Sequence, residues 1–321
     1  MRCRGDAVSP TPRAGAPRRA LRLLLVAACA SLAAPSAPAQ DEAAPVALTG
    51  TLAKVRAAGA ITLGVRESSV PFSYRSPRGE VVGYSVDLCR LVVEAIDEEV
   101  GRTLAVRLRP VTSDTRIPAL VAGEIDLECG STTDNQERRK LVAFSPTIFV
   151  AGTRLLVRQG GPIASYRDLG GRRVVVTSGT TNEKALRDLA DRAGVPMIIV
   201  TAPDHAAALA QLTSGQVDAF ATDDVLLHGF VAQRGLHGQY AVVGELLSYE
   251  PYALMYRKDD PQLRRVVEDA FERLAADREI DRRYDQWFMK RLPQSEASLD
   301  LPMSAQLQTI VQAMAERTAA D

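Results

Sequence analysis

The 321 residues are enough for two domains of ordinary size, and 46% apolar with 24% charged residues is a globular composition. The 39 basic residues balance 39 acidic ones, so net charge offers no general attraction to nucleic acid or anionic lipid. Whatever the chain binds must be recognised by a local cluster of side chains.

At the N-terminus, Arg13, Arg18, Arg19 and Arg22 precede an apolar run over 23–34, and Ala37-Pro38-Ala39 before Gln40 forms a small-x-small cleavage site. Residues 1–39 therefore read as an export signal, its apolar run being shorter than the ~20 residues needed to span a bilayer. Lipidation at Cys29, within Val26-Ala27-Ala28-Cys29, is an alternative to cleavage after Ala39, and Arg18-Arg19 is a weak twin-arginine signal. No other segment is apolar enough to span, which predicts a soluble mature chain outside the cytoplasm.

Beyond a polar Ala/Pro-rich stretch to about residue 46, strand and helix patterns alternate. Ile61, Leu63 and Val65 alternate as a strand does. Leu88, Leu91, Val92, Ala95 and Ile96 follow helical spacing. Val174-Val175-Val176 is a buried-strand run, followed by a helical stripe at Ala185, Leu186, Leu189, Ala190 and Ala193. Such alternation predicts α/β sheets with crossover helices. The segment Leu120-Val121-Ala122-Gly123-Glu124-Ile125-Asp126 is echoed by Leu212-Thr213-Ser214-Gly215-Gln216-Val217-Asp218, each read as a helix end, a glycine cap and a strand. Two similar lobes would each supply such a unit. Extended segments at 148–157 and 246–256 flank the second copy and read as two crossings between lobes. The expected organisation is a discontinuous lobe 1 over 40–150 and 250–321, and lobe 2 over 151–249. A helix over 261–274 and a segment over 284–290 close lobe 1. A tail stripe at Leu307, Ile310, Val311 and Met314 is expected to pack on a lobe.

The sequence holds no G-x-S-x-G elbow, P-loop, H-E-x-x-H or C-x-x-C, and only three dispersed histidines. Cys89 and Cys129 are 40 positions apart, without metal-ligand spacing, and read as buried small hydrophobes in preference to a disulfide. Cationic and hydroxyl residues instead gather at element ends, where ligands sit in open α/β sheets. Arg66 directly follows the first strand. Ser113 and Arg116 lie in the loop after a strand over 106–111. In Glu128-Cys129-Gly130-Ser131-Thr132-Thr133-Asp134, Asp134 and Glu137 have N-cap and N3 spacing, which puts Arg138 near a helix start. Thr177-Ser178-Gly179-Thr180-Thr181 joins a strand to a helix, with Thr180 and Glu183 spaced as a capping box and amides near Thr181 open to a carboxylate. His205 follows a predicted N-cap at Asp204. Asp223 follows a strand over 217–221, where a carboxylate would meet an ammonium group, with Asp224 as a candidate cap. Taken singly, each of these residues is equally well a surface or capping residue.

Together they form a pattern. Almost the whole mature chain resembles the periplasmic glutamate/aspartate-binding proteins of ABC transporters, within the type II solute-binding family. The resemblance rests on the segments 66–74, 82–85, 128–133, 143–145, 174–181 and 257–261, most specifically Cys129-Gly130-Ser131-Thr132-Thr133 and the octad from Val174 to Thr181. It implies an α/β two-lobed periplasmic-binding-protein (type II) fold with a two-strand hinge, closing like a flytrap without bond chemistry, metal or cofactor. By the same resemblance, Arg138 clamps a ligand α-carboxylate, helped by Thr133 and the helix start at Thr181. Asp223, with Ser131, receives the α-ammonium. Arg66, Ser113, Arg116 and His205 surround a side-chain carboxylate. The implied ligand is glutamate or aspartate and the implied partner a membrane permease, for a periplasmic monomer. Ala221-Thr222 depart from the pattern, where larger apolar residues are expected, and Cys89 is not part of it. Counting three arginines against one aspartate matches two carboxylates and one ammonium on the ligand. Rival readings are a dehydratase-like enzyme using Glu128 or His205, and a sensory subunit that presents its ligand to a receptor.

Overall fold

The computed structural model describes residues 47–293 and 296–318. The expected signal over 1–39, with its cleavage site and Cys29, lies outside the described residues. Among the described residues, no helix is long and apolar enough to cross a membrane.

Two five-stranded sheets organise the chain. In the first, Ala105–Pro110, Ala60–Val65, Leu127–Cys129, Met255–Arg257 and Val142–Phe144 lie side by side in that order. The second runs Ile198–Ala202, Arg173–Thr177, Ala219–Asp223, Thr153–Arg158 and Tyr240–Val243. In each, the first three strands pair in parallel and the remaining pairings are antiparallel. The strand Ala60–Val65 buries nearly every side chain, as a central parallel strand must, whereas Ala105–Pro110 at the edge is exposed throughout.

The helix Tyr84–Val100 turns Leu88, Val92, Ala95 and Ile96 inward and ends at Gly101, whose φ of 68° suits a residue without Cβ. It packs against the first sheet, and this placement overturns the expectation of two separate thiols. Cys89 on its buried face is disulfide-bonded to Cys129 at the end of Leu127–Cys129, with 6.0 Å between Cα atoms. Pairing depends on a distance across the fold that a 40-residue spacing does not express.

The heptad echo is a structural repeat. In each copy a short helix gives way to a positive-φ glycine, Gly123 or Gly215, and then to an aspartate beside the first parallel strand of its own sheet. Asp126 accepts from the Thr62 amide at 2.9 Å, while its own amide donates to the Thr62 carbonyl at 2.7 Å. Asp218 does the same with Arg173, both contacts at 2.8 Å.

Between the sheets runs a two-stranded antiparallel ladder of Phe149–Ala151 with Glu250–Tyr252. Phe149 and Tyr252 from this pair enter a cluster with Phe72, Tyr84, Tyr284 and Phe288, ring centroids 4.4–6.2 Å apart. Each such buried ring contributes roughly 1.5–3 kcal/mol relative to exposure, so the connecting strands are anchored on a stiff apolar base. The helix Pro261–Ala276 packs on Tyr84–Val100, and the C-terminal helix Ala305–Thr318 lies along it, burying Leu307, Val311 and Met314.

Candidate functional site

Local sequence sets each side chain at the end of an element. Arg66 follows Ala60–Val65, its amide held by the Ser73 hydroxyl at 2.8 Å. Arg116 is the first residue of a helix, Arg116–Val121, and not part of a loop. Asp223 is the last residue of Ala219–Asp223, two residues beyond the expected strand end, and leads into the helix Asp224–Gln233. His205 opens the helix His205–Thr213, capped by Asp204 through the Ala207 amide at 2.8 Å. Thr181 opens Thr181–Ala193, and Thr180 caps it through the Glu183 amide at 3.2 Å. The Glu183 carboxylate reaches the Gly179 amide, so the expected reciprocal box is displaced by one residue. The helix carrying Arg138 also starts one residue later than its sequence suggests. Asn135 is its cap, accepting from the Arg138 amide at 2.9 Å, because Asp134 is engaged with Arg139.

Arg66, Ser113, Arg116, Ser131, Thr133, Thr181, His205 and Asp223 converge on one small, nearly closed cavity of about 10 Å³, joined by Thr180 and Asn182. Of the residues singled out in the sequence, Arg138 alone is not on its wall. It is buried behind Thr133, whose carbonyl accepts from Nη1 at 2.8 Å. A larger groove at the C-terminal helix, lined by Phe144, Tyr256, Arg264 and Met314, contains none of these residues.

Two buried arginines line the cavity. Arg66 and Arg116 are 1% and 2% exposed. Arg66 Nη2 donates to Ser113 at 2.9 Å, and Arg116 Nη1 donates to Thr132, which donates on to Glu128 at 2.7 Å. Arg66 Nη1 and Arg116 Nε are buried and, among the described residues, have no hydrogen-bond partner. A buried donor without an acceptor is costly, and a carboxylate supplies the acceptor that fits a guanidinium. Burial, then the neighbouring Arg116, pulls Arg66 down to about 10. Burial and Arg116 likewise pull Arg138 down to about 9, and burial also lowers Arg116. Burial beside Arg66 and Arg116 holds His205 well below the ordinary histidine range, so its ring is neutral at pH 7 and bonds Thr177 through Nδ1 at 2.7 Å.

Asp223 is the acidic residue on the same cavity. Asp223 accepts from Asn182 at 2.7 Å and from the Tyr252 hydroxyl. Burial, followed by the nearby Glu250, pushes Asp223 up to about 7 against the opposing effect of those two hydrogen bonds. Burial and Asp223 raise Tyr252, which keeps its phenol proton and remains a donor. Thr222, a departure from the expected apolar pattern, is fully buried, 3.5 Å from Asn182 Oδ1.

Sequence reasoning missed four groups: Thr180, Asn182, Glu250, and Glu128 as a neighbour of the arginines. The count of three arginines against one aspartate is therefore incomplete, because Glu128 and Glu250 are also buried. Asn182 was within reach of the sequence as the polar neighbour of Thr181 in the first helical turn. Glu250 stood out only as a lone charge within a crossing segment.

A mixed two-sheet fold with a polar cavity at strand ends, lined by buried arginines and a buried aspartate, is the arrangement of a small-molecule binding protein. Residues 61–290 match the model of the bacterial extracellular solute-binding proteins, family 3, and the chain belongs to that family. It is 42% identical to the glutamate/aspartate import solute-binding protein of Escherichia coli K12 over 84% of this chain and 89% of that one. It is 41% identical to the L-glutamate/L-aspartate-binding protein of Pseudomonas aeruginosa PAO1 over 85% and 91%. Among solved structures, an ancestral arginine-binding protein bound to glutamine is similar, with TM-score 0.65 and 31% identity over 72% of this chain and 99% of that one. Family membership places the chain among binding proteins and not among enzymes.

Proposed function

We propose that the protein captures L-glutamate or L-aspartate in the cleft between its lobes and delivers it, in the closed form, to the permease of an ABC importer. In this reading the lobes are the described residues of 40–150 and 250–321, and residues 151–249, joined through the Phe149–Ala151 and Glu250–Tyr252 ladder. The observation that carries the ligand class is the pair of buried donors without a partner among the described residues, Arg66 Nη1 and Arg116 Nε, on two arginines that line the same cavity as Asp223. An acidic amino acid has a carboxylate for the arginines and an ammonium for the aspartate. A neutral side chain would leave two desolvated guanidiniums without an anion. The similarity to glutamate/aspartate import proteins supports the same assignment.

In this reading the ligand side-chain carboxylate lies among Arg66, Ser113, Arg116 and His205. The α-carboxylate is held by Arg138 with Thr133 and the amides at Thr181, and the α-ammonium by Asp223 and Ser131. Because Thr133 separates Arg138 from the cavity, Arg138 acts on the α-carboxylate only by reaching past that residue on ligand entry. The protein works as a monomer in the periplasm after export by its N-terminal signal. The test is mass spectrometry of ligand that co-purifies with protein expressed in its export-competent form. Glutamate or aspartate at near one equivalent supports the assignment; a neutral or basic amino acid in that place overturns it.

A further inference from the structure

The carboxylate of Glu250, 2% exposed on the connecting strand Glu250–Tyr252, is ringed by three hydroxyls. Its Oε2 accepts from Thr133 and from Thr181, each at 2.6 Å, and its Oε1 from Ser248 at 2.6 Å. Thr133 follows the strand Leu127–Cys129 of the first sheet, and Thr181 opens a helix on the second. Both line the cavity, and their hydroxyl oxygens are 3.2 Å apart. A threonine hydroxyl has one proton, and an ionised carboxylate accepts only. With both protons committed to Glu250, each threonine side chain offers the cavity nothing but lone pairs. Beside Asp223 the two hydroxyls are therefore acceptors for a group with N–H donors, and the α-carboxylate is left to Arg138 and the backbone amides of Thr133 and Thr181.

We propose, building on the acidic amino-acid reading above, that Glu250 is a positioning residue of the ligand site. It fixes Thr133 and Thr181 as acceptors and so sets the preference for a ligand with an ammonium group. The same three-way contact fastens the closed cleft, because one carboxylate reaches both threonines only when the two sheets' elements meet. Asp223 supports the assignment. It faces Glu250, Asp224, Asn182 and Tyr252, and burial together with Glu250 holds its carboxyl up. An ammonium placed between the two carboxylates relieves that repulsion.

The test compares L-glutamate with glutarate, the same dicarboxylate without the amine, in the wild type and in Glu250→Gln, by calorimetry at several pH values. The glutamine amide oxygen can still accept from both threonines and its nitrogen can donate to Ser248, so this variant removes the negative charge beside the ammonium and keeps the hydroxyl geometry, which the threonine variants below test separately. Glutamate affinity is expected to fall about tenfold or more while glutarate changes by less than about twofold or improves. The pH profile of glutamate binding is expected to move to lower pH as the charge beside Asp223 disappears. Thr133→Val and Thr181→Val, which keep Glu250 in place, should lower the glutamate-to-glutarate ratio too, and they decide the matter should Glu250→Gln not fold. Equal losses for both ligands with an unmoved pH profile would reduce Glu250 to a structural clasp and overturn the proposal. A wild type that does not bind glutamate would instead overturn the underlying ligand reading.

Discussion

Arg66 and Arg116 line the cavity, and each keeps one buried donor without a partner among the described residues, whereas Arg138 is turned into the Thr133 carbonyl. The three arginines should therefore differ in what they recognise. Replacing Arg66 or Arg116 by Gln or Met strips glutamate of a charge-assisted contact worth roughly 1.5–3 kcal/mol, while relieving glutamine of an unmatched cation. The glutamate-to-glutamine affinity ratio should fall about tenfold or more in either variant. Arg138→Gln should weaken both ligands and leave the ratio nearly unchanged, and Arg138→Ala should cost about 2–5 kcal/mol of binding. Calorimetry with both ligands in each variant checks this; a ratio shift confined to Arg138 would mean the ligand lies the other way round. Asp223 adds a pH dependence. Its folded-state pKa of about 7 is above the unfolded aspartate value of ~3.9, so it favours the ligand-free fold at low pH and loses that contribution as pH rises through about 7. An ammonium ligand selects the ionised form. Affinity should thus rise by up to about tenfold per pH unit below 7 and level off above it, with proton release on binding near pH 6.5. Asp223→Asn should bind weakly with a flat profile over the same range.

Elements explain which of these residues were visible in advance. The periodicity of Ile61, Leu63 and Val65 and the stripe from Leu88 to Ile96 locate a strand and a helix because local pattern and burial agree. Arg66, Thr181, His205 and Asp223 could be placed at or next to element ends in the same way, but only the family resemblance joined them into one site. The helix carrying Arg138 was misplaced by one residue, because Asp134 and Asn135 are both good caps and only the Asp134 pairing with Arg139 decides between them. Glu250, Asn182 and the Cys89–Cys129 bond owe their meaning to partners 29 to 117 positions away, which no local pattern encodes. The disulfide ties Tyr84–Val100 to the strand that leads into Ser131 and Thr133. Closing a loop of 40 residues, it should contribute about 2–4 kcal/mol to stability. The double variant Cys89→Ser, Cys129→Ser should shift the denaturant midpoint accordingly, and an unchanged midpoint would show that the packing of the helix suffices.

For the whole molecule the issue is closure. Contacts between the two lobes include the approach of Gly229, on Asp224–Gln233, to the Val70 carbonyl, where an added Cβ would lie 2.5 Å from the oxygen. Gly229→Ala should leave each lobe folded and obstruct the closed form. Overpacking of about 1–3 kcal/mol, felt only on closure, should weaken binding about tenfold, and small-angle scattering with ligand should report a larger radius than for the wild type. Identical scattering and affinity would show that this approach does not limit closure. The proposed function makes the cleft a trap selective for acidic amino acids. Calorimetric titration of the mature wild-type protein at pH 7.5 with L-glutamate, L-aspartate, L-glutamine, L-lysine and L-leucine tests that most directly. Glutamate and aspartate should bind at least about a hundredfold more tightly than the other three, or about 2.8 kcal/mol. Tighter binding of glutamine, lysine or leucine would contradict the assignment of Arg66 and Arg116 to a carboxylate.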